Sequence, residues 1–345
     1  MSNDKINTVD YKAAGVDIKA GEDAVKAIKD KVRSTFNDNV LSELGSFGGL
    51  YRVDKEAWDR PILVASTDGV GTKLMVAIEA GIYNTVGQDL VNHCVNDILV
   101  QGALPQFFLD YIGVGKLSPK VISEIIDGFV LACRENSCAL IGGEMAEMPG
   151  LYQPQDFDLA GTIIGMVETS QLLPRKTISK GDVLLGLPAS GLHTNGYSLA
   201  RKVLFDIMGL TVDSYVEELS CALGESLLQV HKSYLKQLRP YLSSSGLKAL
   251  AHITGGGIAG NLSRVLPDHL SADISLKDAD IPALFQLIQK GGNVSTEAMR
   301  QTFNLGIGMI CVMNRGMAEL FQKDHDAILL GELSASTGQD RVRFI

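Results

Sequence analysis

The stretch PILVASTDGVGTK, residues Pro61 to Lys73, joins a strand-like run to a glycine-bearing loop. Its first six residues, Pro61 to Ser66, are apolar and partly β-branched and run into turn formers, the pattern of a buried strand. Glycines at 69 and 71 let the backbone approach phosphate oxygens, Asp68 can hold a metal ion, and Lys73 can neutralise charge. The string is not a Walker A loop, because Thr72 rather than glycine precedes Lys73, and it fails GxGxxG because residue 74 is Leu. Taken alone it fits a tight turn about as well as a phosphate site.

Downstream, Leu90, Val91, Cys94, Val95, Ile98 and Leu99 recur at helical spacing, which predicts a helix over Gln88 to Gln101. Phe107 to Val114 reads as a second strand. Ser118 and Pro119 then supply an N-cap and a first-turn proline for a helix containing Val121, Ile122, Ile125, Ile126 and Phe129. Ala139 to Ile141 and Ala160 to Val167 are further strands, so strands alternate with helices and the class is mixed α/β. A polar stretch with Pro174, Glu168 to Asp182, separates this block from a second one, giving expected domains 1–170 and 171–345. The second half holds strands at Val183 to Leu187, Ala249 to Ile253, Leu305 to Val312 and Ala327 to Leu333, and a helix from Tyr197 to Met208.

At 345 residues the chain exceeds the usual limit of one core, in keeping with two domains. The net charge of -9 disfavours nonspecific attraction to nucleic acid or anionic membranes. Met1 to Asp10 is polar, and no apolar run approaches the ~18 residues of a membrane span, so the expectation is a cytoplasmic protein. The five cysteines form no CxxC pair and read as reduced core residues.

Five more segments can carry chemistry. Asp89, His93, Asn96, Asp97 and Gln101 share one helix side, and Asp, Asn, His and Gln suit metal or hydrogen-bond work better than a solvated face; a functional cleft and a subunit contact are the two readings. GGEMAEMPG, Gly142 to Gly150, presents Glu144 and Glu147 at a strand end, where carboxylates can take Mg²⁺ or close a turn. Asp110 interrupts the apolar strand FFLDYIGVG, and a buried carboxylate without a partner is expensive. SGLHTNGYSLAR, Ser190 to Arg201, places His193, Thr194 and Asn195 before a helix, and TGGGIAGN, Thr254 to Asn261, offers successive backbone amides that suit an anion. There is no GxSxG, which argues against a hydrolase triad.

In this order the segments resemble the phosphoribosylformylglycinamidine cyclo-ligase family, also called aminoimidazole ribonucleotide synthetase. The blocks are YKAAGVDIKAG (Tyr11 to Gly21), LGSFGGLY, STDGVGTKL, VNDILVQGA, FFLDYIGVGKL, GGEMAEMPGLY, SGLHTNGYSLAR, ITGGGIAGNLSRVLP and TFNLGIGMI, spread over nearly the whole chain. Single loops also resemble sister ATP-dependent synthetases and kinases, the alternative reading. Among these, selenophosphate synthetase relies on an N-terminal reactive cysteine or selenocysteine, whereas the first cysteine here is Cys94. Met145 stands where the family commonly has Thr, and Gly113 and Val114 vary its DYxATGKL string.

The resemblance implies a reaction, converting formylglycinamidine ribonucleotide and ATP to aminoimidazole ribonucleotide, ADP and phosphate through an iminophosphate. It implies Mg²⁺ on Asp68, Asp97 and Glu144, with Asp110 a further metal candidate. Gly69, Val70, Gly71, Thr72, Lys73, Asn96 and Lys29 are implied near the nucleotide, Lys73 facing the triphosphate. His193, Thr194 and Asn195 are implied in substrate orientation or proton transfer, Thr194 binding substrate, and Gly255, Gly256 and Gly257 as donors to the substrate phosphate. The family fold implies two α/β domains and a homodimer whose N-terminal sheets join into a barrel.

Overall fold

The computed structural model describes residue 15 and residues 17–336, 338 and 340–345; Met1 to Asp10 and the opening of the Tyr11 block lie outside them. The first half holds β1 (Pro61–Gly69), β2 (Leu104–Val114), β3 (Ala139–Glu147) and β4 (Phe157–Glu168), together with α1 (Ile18–Arg33), α2 (Lys73–Ala80), α3 (Asn84–Leu99) and α4 (Pro119–Glu135). The strands form one sheet in the order β1-β4-β2-β3. Pairing is antiparallel except between β2 and β3, which α4 connects.

Helices cover one face of this sheet. The α3 and α4 backbones cross closely because each has a glycine at the contact: a Cβ on Gly87 would lie 2.4 Å from the Ile125 carbonyl, and one on Gly128 would lie 2.3 Å from that of Asn84. Ala24, Ile28 and Val32, one turn apart on α1, extend the layer, and Lys31 of α1 bonds Asp127 and Ser123 of α4. Pro119 opens α4 as predicted, but the Ser118 side chain makes no capping bond. Glu147 instead accepts from the Leu117 amide and, with its other oxygen, from that of Asp17, so it is a structural clamp.

The second half is built on six strands in the order Val342–Phe344, Leu270–Ile274, Ile328–Ala335, β5 (Val183–Pro188), Ile307–Met313, Leu247–His252. One face of this sheet, with Leu185, Leu187, Leu250, Met309 and Cys311, joins a core continuous with that of the first half; the other packs a separate cluster around Leu184, Ala251 and Ile310. The helix expected over Tyr197 to Met208 is α5 (Tyr197–Arg201) followed by a π-helical stretch, Lys202–Ile207. All five cysteines are free, and all but Cys221 are buried. Among the described residues no helix is long and apolar enough to cross a membrane.

Candidate active site

The polar side of α3 faces neither solvent nor an open cleft along most of its length. It holds a non-regular segment of the second half, residues 229–234. Asp89 accepts from the His231 amide (2.7 Å), Asn92 donates to the His231 carbonyl (2.8 Å), and Asn96 donates to the Lys232 carbonyl and accepts from the Tyr234 amide. These side chains satisfy a backbone that has no sheet to join. Lys73 belongs to the same junction, and its expected place at a triphosphate is corrected. It is fully buried, its Nζ lies 2.9 and 2.8 Å from the two Asp89 oxygens, and it donates to the Gln229 carbonyl (2.7 Å), so its donors are used. Asn96, expected near the nucleotide, is likewise occupied by the segment it holds.

The next positions on α3, His93 and Asp97, open onto the end of β1. His93 Nε2 lies 2.7 Å from Asp68 Oδ2 and 3.6 Å from Asp97 Oδ2, while Ser66 donates to Asp97 Oδ2 and His252 Nδ1 lies 2.9 Å from Asp97 Oδ1. Beyond them, His93 Nδ1 meets Thr194 Oγ1 at 2.8 Å, Thr194 Oγ1 meets His231 Nδ1 at 3.3 Å, and His231 Nε2 meets His252 Nε2 at 3.0 Å. A carboxylate only accepts, so His252 must donate to Asp97 through Nδ1. Burial pushes the His252 pKa down, against the pull of Asp97, so the ring is neutral with its proton at Nδ1. His231 Nε2 faces both His252 Nε2 and, at 3.2 Å, the donor Asn96 Nδ2, while His93 donates to Asp68 through Nε2. The charges agree. Burial opposes ionisation of His93, yet its hydrogen bond to Asp68 and the field of Asp97 outweigh that and raise its pKa; burial opposes Asp68 and Asp97 too, and the histidines hold both below the usual carboxylate range.

His193 is fully buried at φ 60° and stacks on His231 with ring centroids 4.0 Å apart. Burial and the neighbouring cations depress its pKa well below the ordinary histidine value, and its Nδ1 has no hydrogen-bond partner. Asn195 Oδ1 accepts from the Gly255 amide (3.0 Å), and the Gly257 amide donates to the Thr254 carbonyl, so among Gly255, Gly256 and Gly257 the amide left for an anion is that of Gly256. Thr72, after the tight turn at Gly71 (φ 70°), pairs with Ser198 of α5 across the halves (3.1 Å), and Gly69 donates to Asp68. The mouth of the site is therefore framed by residues 68–72, 193–195 and 254–256.

Not every implied residue converges there. Asp110 shares a register row with Asp68 through Gly161, two strands away, or roughly 10 Å by strand spacing. With Glu144 it lines a cavity floored by β2 and β3 and roofed by Val25, Ile28 and Val32 of α1. Lys29 is exposed on α1 and makes no ion pair among the described residues. A single metal cannot bridge Asp68 and Asp97 to Asp110 across that spacing, so Asp110, the further metal candidate, stands apart from that pair. His231 and His252 were not singled out in the sequence: His231 sits in no motif, and His252 sits inside a strand read as core.

The descriptions "AIR synthase related protein, N-terminal domain" and "AIR synthase related protein, C-terminal domain" match residues 51–167 and 179–338. The phosphoribosylformylglycinamidine cyclo-ligase of Syntrophotalea carbinolica is 46% identical over 100% of both chains, and that of Alkaliphilus metalliredigens is 45% identical over 95% of this chain and 96% of its own. The chain belongs to the phosphoribosylformylglycinamidine cyclo-ligase family. As a member of that family it is an enzyme, a ligase that forms a carbon–nitrogen bond. The cyclo-ligase fold also appears in more distant structures. A thiamine-monophosphate kinase from Stenotrophomonas maltophilia superposes with a TM-score of 0.65 at 18% identity, covering 92% of this chain and 95% of its own. The hydrogenase maturation protein HypE in complex with ATP gives 0.61 at 16%, covering 92% and 90%.

The cyclo-ligase site fits a hard dication. Asp68 and Asp97 bring carboxylate oxygens to 2.7 and 3.6 Å from one imidazole nitrogen, His93 Nε2, and their side chains remain 42% and 26% exposed. Mg²⁺ is commonly bound by one or two carboxylates together with water and phosphate oxygens, which this arrangement can accommodate.

Proposed function

We propose that this chain catalyses the ATP-dependent closure of formylglycinamidine ribonucleotide to aminoimidazole ribonucleotide, releasing ADP and phosphate. An amide oxygen is a poor leaving group, so the γ-phosphoryl group is first transferred to the formyl oxygen. The amidine nitrogen then attacks the resulting iminophosphate carbon, the carbon–oxygen bond breaks, and phosphate and a proton leave. The observation that supports this best is the meeting of Asp68 and Asp97 with the 69–72 turn and the 193–195 and 254–256 loops at one mouth between the halves.

Asp68 and Asp97 would hold Mg²⁺, which supplies charge neutralisation for the transferring phosphoryl group. The Gly69–Thr72 turn offers close backbone approach for the nucleotide phosphates, and the Gly256 amide serves the substrate phosphate. His193, neutral because it is buried, acts as a hydrogen-bonding group toward the reacting amidine rather than as a cation, with Asn195 and Thr194 fixing the loop around it. Most of the acceleration then comes from positioning and electrostatics. The same reading divides the chain at 170/171 into an ATP-binding half and a C-terminal half, places it in the cytoplasm, and joins two copies so that Lys29, Asp110 and Glu144 serve an interfacial ATP site.

The test is Asp97→Asn assayed with Mg-ATP and formylglycinamidine ribonucleotide. Turnover, read as stoichiometric ADP and aminoimidazole product, should fall by at least ~100-fold while the circular dichroism spectrum stays unchanged. Wild-type turnover in the folded variant would remove Asp97 from the metal site.

A further inference from the structure

We propose that His93, Asp97 and His252, joined by Asp68, form a binding site for a borderline transition-metal dication such as Zn²⁺, independent of nucleotide. The inference shares Asp68 and Asp97 with the Mg²⁺ reading above but rests on the two imidazoles, for which Mg²⁺ has little use. Donor atoms of His93, Asp97 and His252 all lie within 4.8 Å of one another. His93 Nε2 is 3.6 Å from Asp97 Oδ2 and 2.7 Å from Asp68 Oδ2, and His252 Nδ1 is 2.9 Å from Asp97 Oδ1. Four donors around tetrahedral zinc stand roughly 3.4 Å apart; the three spacings lie on either side of that value, the two from Asp97 running to different oxygens of its carboxylate. The adjustment falls on Asp68, whose side chain is 42% exposed and is held by His93 and the Gly69 amide.

Two nitrogens and two carboxylates select zinc and its neighbours over magnesium. The surroundings are those of a metal site as well. A ligating histidine usually has its other ring nitrogen held by a hydrogen bond that fixes its orientation. Here His93 Nδ1 is held by Thr194 Oγ1 at 2.8 Å, His252 Nε2 by His231 Nε2 at 3.0 Å, and Asp97 Oδ2 by Ser66 Oγ at 3.0 Å. A dication would displace the proton that His93 shares with Asp68 and shift the His252 proton from Nδ1 to Nε2, where it faces His231. A rival trio, His193, His231 and His252, is also close-set. Its His193 and His231 rings stack at 4.0 Å with planes only 21° apart, so their in-plane lone pairs cannot aim at a common point.

The experiment uses full-length protein stripped with chelator and free of ATP. Zn²⁺ is titrated by calorimetry, and Co²⁺ by visible absorption. One equivalent of Zn²⁺ should bind at least ~100-fold more tightly than Mg²⁺, and Co²⁺ should give the intense d–d bands of a four-coordinate site. His93→Ala and His252→Ala should each abolish the bands, Thr194→Val should weaken Zn²⁺ binding by about 10–100-fold, and His269→Ala, a change to an exposed histidine elsewhere, should leave it unchanged. Should either alanine variant be misfolded by circular dichroism, His93→Gln and Thr194→Val decide the matter. Zn²⁺ binding no tighter than Mg²⁺ binding, or binding retained when His93 is replaced, overturns the site. If the stripped enzyme still turns over on added Mg²⁺, the function proposed above stands without it.

Discussion

Asp110 is the clearest case of a side chain held against its own chemistry. It points from β2 toward α1 and crowds β3 so closely that a Cβ on Gly143 would lie 2.2 Å from its Oδ1. Burial, reinforced by the negative charge of Glu144, pushes its pKa up to about 7. Because the folded-state pKa lies above the unfolded one, the folded protein binds the extra proton. This carboxyl therefore costs stability progressively as pH rises from about 4 toward 7, and the cost is complete above that. Asp110→Asn removes the ionisation, so the melting temperature of the variant relative to wild type should climb between pH 5 and pH 8; a difference that stays flat across that range would contradict the assignment. The sequence already set Asp110 apart, as an acid in an apolar strand. It could not say which sheet face the acid occupies, because an eight-residue apolar run has no clear alternation. His252 was hidden for a related reason: one polar residue at the end of the buried strand Leu247–His252 looks like core until the Asp97 opposite it is known.

Helix α3 carries two different burdens on its two sides. Its apolar side packs on the sheet and α4, and that side was legible, since a 3.6-residue period reports burial directly. Its other side was ambiguous between a cleft and a contact because the same Asp and Asn side chains can meet water, a ligand or a backbone. Here they meet residues 229–234 of the same chain, with the Lys73–Asp89 pair sealed beneath. Burial drives the Lys73 pKa down and the Asp89 pKa up, and each partner opposes the shift of the other. Removing one member of such a pair leaves a naked buried charge, so Lys73→Met should cost roughly 3–5 kcal/mol in urea unfolding. The double variant Lys73→Met/Asp89→Leu should recover part of that, but not all, since the His231 amide would lose its acceptor. A loss below about 1 kcal/mol together with weakened ATP binding would return Lys73 to the nucleotide.

The two sheets share one continuous core, which is why the alternation of strands and helices revealed the α/β class but not how firmly the halves are fused. What that core leaves uncovered is the far face of the first sheet. Leu63 is 66% exposed there, and Ala65, Ile164 and Phe107 form one register row across β1, β4 and β2, with Thr67, Thr162 and Leu109 in the next. A sheet normally buries at least one face, and this one already has its helices on the other. The second face is nonetheless built mostly from apolar and small residues, with Glu144 at its β3 side, and among the described residues β1 and β3 are the sheet's edges. A second copy of the chain, adding its own four strands, would cover the face and close the edges in a barrel. Sedimentation of the wild type at micromolar concentration should therefore give a dimer. Ile164→Asp should give a monomer with an unchanged circular dichroism spectrum, because in a single copy that side chain is half-exposed and its loss removes little core. A wild type that sediments as a monomer would mean that this face meets water, and the homodimer would have to be abandoned.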